Sequence, residues 1–519
     1  MSELVTSHRV STDEAAVFLA PRDDVVGERA DGVCAGGERR FVAASGPFSH
    51  YERRVAVEPD GDGRAVVTET INFRLAVPLW WVAFVGLYRR ALRQRPRPGR
   101  QPWWAAPERL DPQAATVLGL LCSIAIVAGY LGTLITQTLT FAADEFEASS
   151  TAQGATLAAV RVGVLIGLVL AALADRYGRR RLLLASATAG CLFTVTGALA
   201  PNLIWLGASQ TVARGFSGAL LLLIGIVSAE EMPAGSRAYA VSLVTLTGAL
   251  GAGMCLWVLP VADLDERAWR LIYVVPALGL LVVRAVGRRL PESRRFVTPH
   301  VEAPMAGHGR RFWLLAVSGF FLAVFAAPVG QFQNEFLRDE RGYSAAAVSL
   351  FVVATSTPAG IGIVVGGRLA DVYGRRLIAA VGIVGGTVGA VLMFASSGAV
   401  MWAWAIAGGM VAGLVVPALQ VYRPELFPTS LRGKASGIIE TITLSGSAAG
   451  LLIAGTLDDR WGGFAEPMAL LALGPLAVSV LILAAYPETA RQSLEDLNPE
   501  DRLPEAETTG DHLSEPRGP

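Results

Sequence analysis

The feature that most constrains this chain is a succession of twelve long apolar stretches that starts near residue 115. A helix needs about 20 consecutive apolar residues to cross the hydrocarbon core of a bilayer, and most of these stretches have about that length. With 52% hydrophobic and only 17% charged residues among 519, the chain is too apolar for an ordinary soluble protein. The sequence therefore predicts an all-α membrane protein with twelve spans, numbered here in chain order. They lie at about 115–141, 153–174, 182–200, 203–228, 239–260, 269–287, 312–335, 346–368, 376–396, 400–421, 436–457 and 466–486.

Two short polar links between the apolar stretches are nearly identical. Ala171–Arg181 reads AALADRYGRRR after span 2, and Gly367–Leu377 reads GRLADVYGRRL after span 8. Their aspartates, Asp175 and Asp371, are separated by 371 − 175 = 196 residues. The arginines and prolines that follow later spans repeat this offset within one residue. A constant offset between ordered markers predicts two pseudo-symmetric bundles of six spans each, as in transporters built from parallel repeats.

The charged residues between the spans predict how the chain is oriented. Arginines concentrate in the links on one side, whereas the links on the other side are acidic, mixed or uncharged. The positive-inside rule then places both termini on the cytoplasmic side of the plasma membrane. The predicted segments are a cytoplasmic N-terminal extension at 1–110, spans 1 to 6 at 111–290, a central cytoplasmic loop at 291–311, spans 7 to 12 at 312–488 and a cytoplasmic tail at 489–519.

The N-terminal extension has three parts with different patterns. Residues 1 to about 40 lack sustained periodicity, which predicts disorder. Partly alternating runs flank the sequence DGDG at 60–63 and predict a small β-hairpin within 51–73. The apolar segment 75–88 is too short for a comfortable span, and it combines tryptophans with the arginines that follow it. This composition predicts a segment at the membrane surface, with a thirteenth span as the alternative.

Several function classes lack support in the sequence. The formal net charge is zero, so no global basic field favours nucleic acid as a partner. The four cysteines contain no C-x-x-C pair and are interpreted as packing residues. No Walker sequence, metal-ligand cluster or nucleophile–base set is present. We therefore expect neither an enzyme nor a bound metal or cofactor.

The two polar links resemble the G-x-x-x-D-x-x-G-R-R/K loops of the major facilitator superfamily, between spans 2 and 3 and between spans 8 and 9. Further marks resemble its sugar-porter and metabolite–proton symporter branch. They are PELFPTSLR at Pro424–Arg432, EEMPAGSR at Glu230–Arg237, PES at Pro291–Ser293 and PET at Pro487–Thr489. The resemblance covers roughly residues 112–495. It implies a secondary active transporter whose two six-span halves rock around a central site.

The chain departs from the pattern of this family at two informative positions. Ala171 stands where the first link of the family has a glycine. In span 1, Leu131 follows Gly129 and Tyr130, whereas many proton-coupled members have an aspartate there. If H⁺ is the coupling ion, another acidic residue must carry it.

The charges of the links are predicted to act as a latch. Asp175 and the arginines after it can form charge-assisted contacts only while the ends of the spans are close, as in an outward-open state. The resemblance implies that Asp175 also faces the start of span 11, where the helix dipole favours an anion. The alternative is that these charges only set topology and cap helices. The predicted latch residues are Asp175, Gly178, Arg179, Arg180, Gly367, Asp371, Gly374, Arg375, Arg376, Glu230, Arg237, Glu425 and Arg432.

Ionisable residues deep within spans are candidates for the substrate or coupling site, because an unpaired charge in hydrocarbon is costly. Arg161 lies about 21 Å along span 2 from Asp175, and Glu440 lies about 12 Å into span 11. Arg214 matches an arginine pattern that many members of the family have in span 4. Spans 2 and 11 are neighbours in that family, so Arg161 and Glu440 are expected to face each other or a shared aqueous cavity. A structural ion pair, or an arginine that reaches the interface, is the alternative.

Further polar candidates lie near the outer ends of spans 1 and 7, although a solvated helix end explains them equally well. They are Gln137, Gln331, Gln333 and Asn334. The sequence thus predicts a monomeric transporter of a small polar organic solute, either a sugar or an organic acid, in symport with H⁺. Efflux of drugs or metabolites by proton antiport is the second hypothesis. A transporter-like sensor, whose N-terminal extension reports occupancy, is the third.

Overall fold

A computed structural model describes residues 2–34, 37–60, 63–96, 99–148, 150–297 and 304–501. Residues 61–62 of the predicted turn, 298–303 of the central loop and 502–519 of the tail lie outside this description. In the described part, twelve helical segments are long and apolar enough to cross a membrane, which confirms the twelve predicted spans. They are Pro112–Glu145, Ala155–Tyr177, Arg179–Leu199, Leu203–Glu231, Ala234–Ala262, Trp269–Gly287, Gly309–Glu340, Leu350–Tyr373, Arg375–Ala395, Gly398–Glu425, Arg432–Trp461 and Ala465–Ala485.

Four spans are divided into shorter helices by local breaks. The break in span 2 lies at Gly163, two residues beyond Arg161, and it separates an outer piece from an inner one. The pieces are Ser150–Val162 and Val164–Tyr177 in span 2, Trp269–Val274 and Pro276–Gly287 in span 6, Gly398–Gly413, Val415–Gln420 and Tyr422–Glu425 in span 10, and Ala465–Leu471 and Leu473–Ala485 in span 12.

An N-terminal module precedes span 1 and contains a five-stranded antiparallel sheet. Its order is β1-β5-β4-β3-β2, so the first strand pairs with the last. The predicted hairpin is confirmed as β4–β5, within this larger sheet. The strands are β1 Ser2–Ser11, β2 Gly27–Val33, β3 Arg39–Ser45, β4 Phe48–Pro59 and β5 Arg64–Leu75, and the helices are α1 Thr12–Phe18 and α2 Trp81–Arg93.

The predicted disorder of residues 1 to 40 is wrong. β1 pairs with β5 along its whole length. Charged residues of this segment are paired inside the module: Arg22 binds Asp24 at 2.9 Å, and Glu28 binds buried Arg53 of β4 at 2.6 Å. Internal pairing removes the desolvation penalty that would otherwise keep such a polar segment unfolded.

The predicted surface segment forms the amphipathic helix α2. Tyr88 and Leu92 pack onto the apolar side of the sheet, whereas Trp81 and Val82 are exposed. A helix of 13 residues is about 20 Å long, and it is not among the twelve candidate spans in the described residues. Its position at a membrane surface stays a prediction.

The twelve spans form two bundles that meet along two seams, span 2 against span 11 and span 5 against span 8. The links after spans 2, 4, 6, 8 and 10 lie together at one end, where hydrogen bonds join them. We call this end the basic face. The N-terminal module and the tail both contact it. The outer piece Ser150–Val162 packs against spans 1 and 4 of its own half. Hydrogen bonds between the two halves close the bundle at the basic face.

Candidate functional site

The basic face contains a buried charge cluster that joins the two halves. The carboxylate of Asp175, at the end of span 2, accepts hydrogen bonds from the backbone N–H groups of Gly433 and Lys434, both at 3.0 Å. These N–H groups are at the N-terminus of span 11, where the helix dipole favours a negative charge. Arg179 also pairs with Asp175 at 3.1 Å. The first link is therefore bonded directly to the opposite half.

Glu230, at the end of span 4, is the second acid of this cluster. It accepts a hydrogen bond from Arg432 of the other half at 2.9 Å and lies 3.4 Å from Arg179 of its own half. The three side chains are at most 1% exposed. Buried carboxylates require such compensation, because desolvation of an unpaired charge is expensive. We call Asp175, Arg179, Glu230 and Arg432 the first cluster.

A second cluster repeats this arrangement with the halves exchanged. Asp371 accepts hydrogen bonds from the first two free backbone N–H groups of span 5, at 3.2 and 2.8 Å, and pairs with Arg375 at 3.2 Å. Glu425 binds Arg237 of the other half at 3.0 Å and also binds Arg375. Each half thus supplies one aspartate–arginine pair and one arginine that binds the glutamate of the opposite half.

Four of the predicted latch residues act within one half instead. The backbone N–H groups of Arg180 and Arg376 bind the carboxylates of Glu292 and Glu488 at 2.9 and 3.2 Å. These two acids, from the PES and PET motifs, cap the N-termini of spans 3 and 9, a role that the sequence analysis missed. The glycines before the spans, Gly178 and Gly374, have positive φ values of 104° and 102°, which disfavour other residues.

Ala171, which stands where the family has a glycine, lies at a close approach in one of the seams between the halves. A Cβ atom on Gly433 of span 11 would lie 2.0 Å from the carbonyl oxygen of Ala171. In the other seam, a Cβ atom on Gly367 of span 8 would lie 2.6 Å from the carbonyl oxygen of Ala238. The glycine at this close approach belongs to span 11 in the first seam and to the link that begins at Gly367 in the second.

The tail is bonded to both halves across the first cluster. Asp501 accepts hydrogen bonds from the side chain of Arg432 at 2.7 Å and from the backbone N–H of Thr429 at 2.8 Å. Glu495 pairs with Arg295 of the central loop, with Nη2 and Oε2 3.0 Å apart, and the backbone carbonyl of Gln492 accepts a hydrogen bond from Arg237 of the N-terminal half at 3.1 Å. Burial opposes the charge of Glu495, but the Arg295 guanidinium holds its pKa below the usual value. The contribution of Asp501 was not predicted, because no motif covers it.

The structure brings Arg161 and Arg214 close together in the bundle. Glycines hold spans 2 and 4 in close contact at this level: a Cβ atom on Gly215 would lie 2.6 Å from the carbonyl oxygen of Gly163. Arg214 precedes Gly215 directly, and Arg161 lies two residues before Gly163. The two guanidinium groups interact electrostatically, and both side chains are exposed.

Glu440 does not form the ion pair that the sequence suggested. Its carboxylate binds Arg423, near the end of span 10, although it also interacts electrostatically with Arg214. The sequence analysis overlooked Arg423 because it lies next to the PELFPTSLR motif. In the described part of the chain, neither Arg161 nor Arg214 has a carboxylate partner, and Arg214 donates a hydrogen bond to the carbonyl of Gly132 on span 1.

These charges lie at two levels above the basic face. Arg161 is 14 residues from Asp175, and Arg214 is 230 − 214 = 16 residues from Glu230, which corresponds to about 21 and 24 Å. Glu440 is only about 12 Å from Arg432. The two arginines therefore lie about 10 Å farther from the basic face than the Glu440–Arg423 pair.

The remaining polar candidates lie at the outer ends of spans 1 and 7. Gln331 and Asn334 are exposed, whereas Gln137 and Gln333 are half-buried. Within the described residues, no group of three or more His, Cys, Asp or Glu side chains is arranged to hold a metal ion. The candidate site is therefore formed by the arginine pair and the Glu440–Arg423 pair.

Comparisons with known proteins match most of the membrane region. The family model described as Major Facilitator Superfamily matches residues 120–333 and 314–508. The puromycin resistance protein pur8 of Streptomyces alboniger is 33% identical over 173 residues, 32% of this chain and 34% of that protein, so the match spans only about a third of its length. The cis,cis-muconate transport protein of Acinetobacter baylyi is 23% identical over 59% of this chain and 78% of its own length.

Two further similarities extend this result. The gentisate transporter of Corynebacterium glutamicum is 26% identical over 66% of this chain and 81% of that protein. The solved structure of the proton:xylose symporter XylE has a TM-score of 0.64 at 17% identity, and the match covers 75% of this chain and 98% of that one. This likeness supports the fold alone. With twelve spans and a family model that matches both halves, the chain belongs to the Major Facilitator Superfamily of membrane transporters.

Proposed function

We propose that this protein takes up a small organic acid anion together with H⁺ across the plasma membrane, as a monomer with both termini in the cytoplasm. The observation that carries the proposal is the pair Arg161 and Arg214, two exposed guanidinium groups on spans 2 and 4, which are in close contact at this level; neither group has a carboxylate partner among the described residues. Similarity to transport proteins named for muconate and gentisate supports an organic acid as the substrate class.

The arginine pair has the chemistry of an anion site. Two like charges held close together inside a membrane bundle repel each other, and a substrate carboxylate would neutralise that repulsion. Guanidinium groups also bind carboxylates through two parallel hydrogen bonds, which gives orientation as well as affinity. The carbonyl of Gly132, which binds Arg214, fixes one of the two groups before substrate arrives.

Glu440 is the proposed proton carrier. It lies between the arginine pair and the basic face, and its partner is Arg423. Protonation of Glu440 would break this ion pair, so the loading of H⁺ and the loading of substrate would change the same set of charges. This role would replace the aspartate that is absent at Leu131 in span 1.

The two buried clusters are the proposed latch of the outward-facing state. Their bonds between the halves can form only when the basic face is closed, as it is in this structure. Opening of the basic face toward the cytoplasm would have to break all of them. The clusters would thereby link the position of the halves to the occupancy of the site above them.

Uptake of labelled gentisate or muconate into proteoliposomes, with acid outside, tests this proposal. A hydrogen bond to a charged group contributes about 1.5–3 kcal/mol, so Arg161→Gln and Arg214→Gln should each weaken apparent affinity by about 10- to 150-fold. Arg338→Gln, at the exposed outer end of span 7, is the matched control. Glu440→Gln should abolish accumulation driven by the pH gradient but preserve exchange of substrate. Unchanged affinity in both site variants would overturn the proposal.

Efflux by proton antiport is the second candidate, because of the similarity to a puromycin resistance protein. The sign of the driving gradient separates the two: symport accumulates solute in vesicles that are acidic outside, whereas antiport accumulates it in vesicles that are acidic inside. A sensor would instead lose its signal, but not any uptake, when residues 1–110 are deleted.

A further inference from the structure

An apolar cavity of about 210 Å³ lies between the N-terminal module and the membrane bundle. The module contributes Trp80, Ala83 and Tyr88, and the segment before span 1 contributes Ala105 and Ala106. Neither the transport proposal nor the family motifs use any of these residues. For comparison, an apolar cavity of about 150 Å³ is large enough to bind benzene.

One face of span 1 and one face of span 5 form two walls of the cavity. Span 1 contributes residues spaced as i, i+3, i+4 and i+7, and span 5 contributes residues spaced as i, i+4, i+7 and i+11. These residues are Ala115, Leu118, Gly119 and Cys122, and Tyr239, Leu243, Leu246 and Leu250. Eleven residues of helix correspond to about 16 Å. The cavity is therefore a long, narrow groove directed from the module into the membrane.

The outer rim of this groove continues into surface that faces the bilayer. Leu250, at its far end, is 46% exposed, and Trp257 on the same span is 78% exposed. At the module end, Ala83 lies on the rim beside Val82 of α2, and both are exposed. Exposed apolar side chains on a membrane span contact lipid tails, so an acyl chain can enter the groove from the bilayer.

Charge at the module end favours a phospholipid with an acidic headgroup. Arg89 and Arg90 follow the rim residues on α2 and are exposed. Arg109 also lines the groove, but it is already bound to Asp23 at 2.5 Å. Basic residues beside an inserted helix attract the anionic lipids of the cytoplasmic leaflet. Arg89 and Arg90 lie outside the apolar part of the groove, where Arg89 also donates a hydrogen bond to the backbone carbonyl of Glu3 at 3.2 Å.

We propose that this groove binds an anionic phospholipid of the inner leaflet, with one acyl chain between α2 and spans 1 and 5 and the phosphate at Arg89 and Arg90. The proposal needs the basic face to be cytoplasmic but requires no particular substrate. Because the lipid would touch both the module and the bundle, it would hold the two together. A ligand that binds only the folded state raises the unfolding temperature by mass action.

The test uses the full-length chain, purified in detergent and titrated with palmitoyl-oleoyl phosphatidylglycerol. Native mass spectrometry counts the retained lipid, and thermal unfolding reports stabilisation. Ala83→Trp fills the groove from its rim and should weaken binding at least tenfold, and Leu250→Trp fills it from the opposite wall with the same result. Val82→Trp, on the adjacent residue that does not line the groove, is the matched control and should stay within twofold of the wild type. Arg89→Gln with Arg90→Gln should weaken binding at least fivefold.

Three results would overturn the assignment. Binding that is equal in Ala83→Trp, Leu250→Trp and Val82→Trp would show that the lipid lies elsewhere. Equal retention of phosphatidylcholine would exclude recognition of an acidic headgroup. Retention of oleate without phosphatidylglycerol would show that the groove takes a free fatty acid instead. None of these readouts depends on transport, so they fail or succeed independently of the arginine site.

Discussion

Asp175→Asn should shift the protein toward a state in which the basic face is open. The carboxylate binds two backbone N–H groups of span 11 across the seam, both at 3.0 Å, but binds Arg179 within its own half. Only the contacts across the seam are lost when the halves rock. The substitution therefore changes the energy of the closed state more than that of the open state.

The size of the shift follows from these two hydrogen bonds. An asparagine oxygen can keep one of them as a neutral bond, worth about 0.5–1.5 kcal/mol, but the second bond is lost and the charge that strengthened both is removed. Since two hydrogen bonds to a charged group contribute about 3–6 kcal/mol together, the net loss is at least about 1.5 kcal/mol. At 1.36 kcal/mol per factor of ten, the open population should rise at least about tenfold.

A cysteine at Ser242 provides the assay. Ser242 is fully buried, and a Cβ atom on Gly367 of the opposite half would lie 2.5 Å from its hydroxyl. A water-soluble maleimide can therefore reach Ser242→Cys only after spans 5 and 8 separate. Because Cys34 is only half-buried, it is replaced by serine in the background, and the labelling rate then follows the open population.

Glu292→Gln is the matched control, since Glu292 caps span 3 within a single half at 2.9 Å. Asp371→Asn, the equivalent change in the second cluster, should raise the labelling rate as much as Asp175→Asn. All variants should still insert into the membrane, whereas uptake should fall in the two aspartate variants. If Asp175→Asn labels no faster than Glu292→Gln, the clusters are helix caps and topology signals rather than a latch.

Three further outcomes follow from the same face. Arg432→Ala leaves buried Glu230 and Asp501 without their shared partner. Thermal unfolding in detergent should then show that the free energy of unfolding falls by about 3–5 kcal/mol, whereas Arg338→Ala should not lower it. Gly433→Ala places a methyl group 2.0 Å from the carbonyl of Ala171, so it should raise labelling of Ser242→Cys, whereas an alanine at exposed Gly462 should not. Arg295 lowers the folded-state pKa of Glu495, so their contact stabilises the docked tail at pH values above the unfolded-state pKa and is lost as the pH falls through the folded-state pKa. Proteolysis of the tail should therefore increase in acid, and Glu495→Gln should remove this pH dependence.

The membrane architecture could be predicted because its signals are local. Span length, polar links and a constant repeat offset are properties of short stretches and their spacing, so the twelve spans followed from the sequence. The clusters could be predicted only in part. The sequence identified the motif residues, but it did not show which of them bond across the seam and which cap a helix within one half. Arg180 and Glu292, for example, can be assigned only once the link after span 6 is seen to fold back onto span 3.

The N-terminal module and the candidate site depend on contacts that no short stretch contains. Glu28, in the segment predicted to be disordered, is paired with buried Arg53 of another strand, and polar composition alone does not show such a partner. Likewise, Glu440 was expected to face Arg161 or to share an aqueous cavity with it, and in the structure its carboxylate pairs with Arg423, which was not predicted. Such partner choices depend on helix rotation and tilt, which hydropathy does not determine.

The two seams imply that the halves of this transporter are no longer interchangeable. A chain made of two N-terminal halves would place Ala171 against Ala238 in both seams, with a methyl group where the backbones need to touch. A chain made of two C-terminal halves would place Gly367 against Gly433 in both seams, with no methyl group from either residue at the close approach. In the present chain each of these approaches pairs one glycine with one alanine, and the two halves supply opposite members of that pair in the two seams.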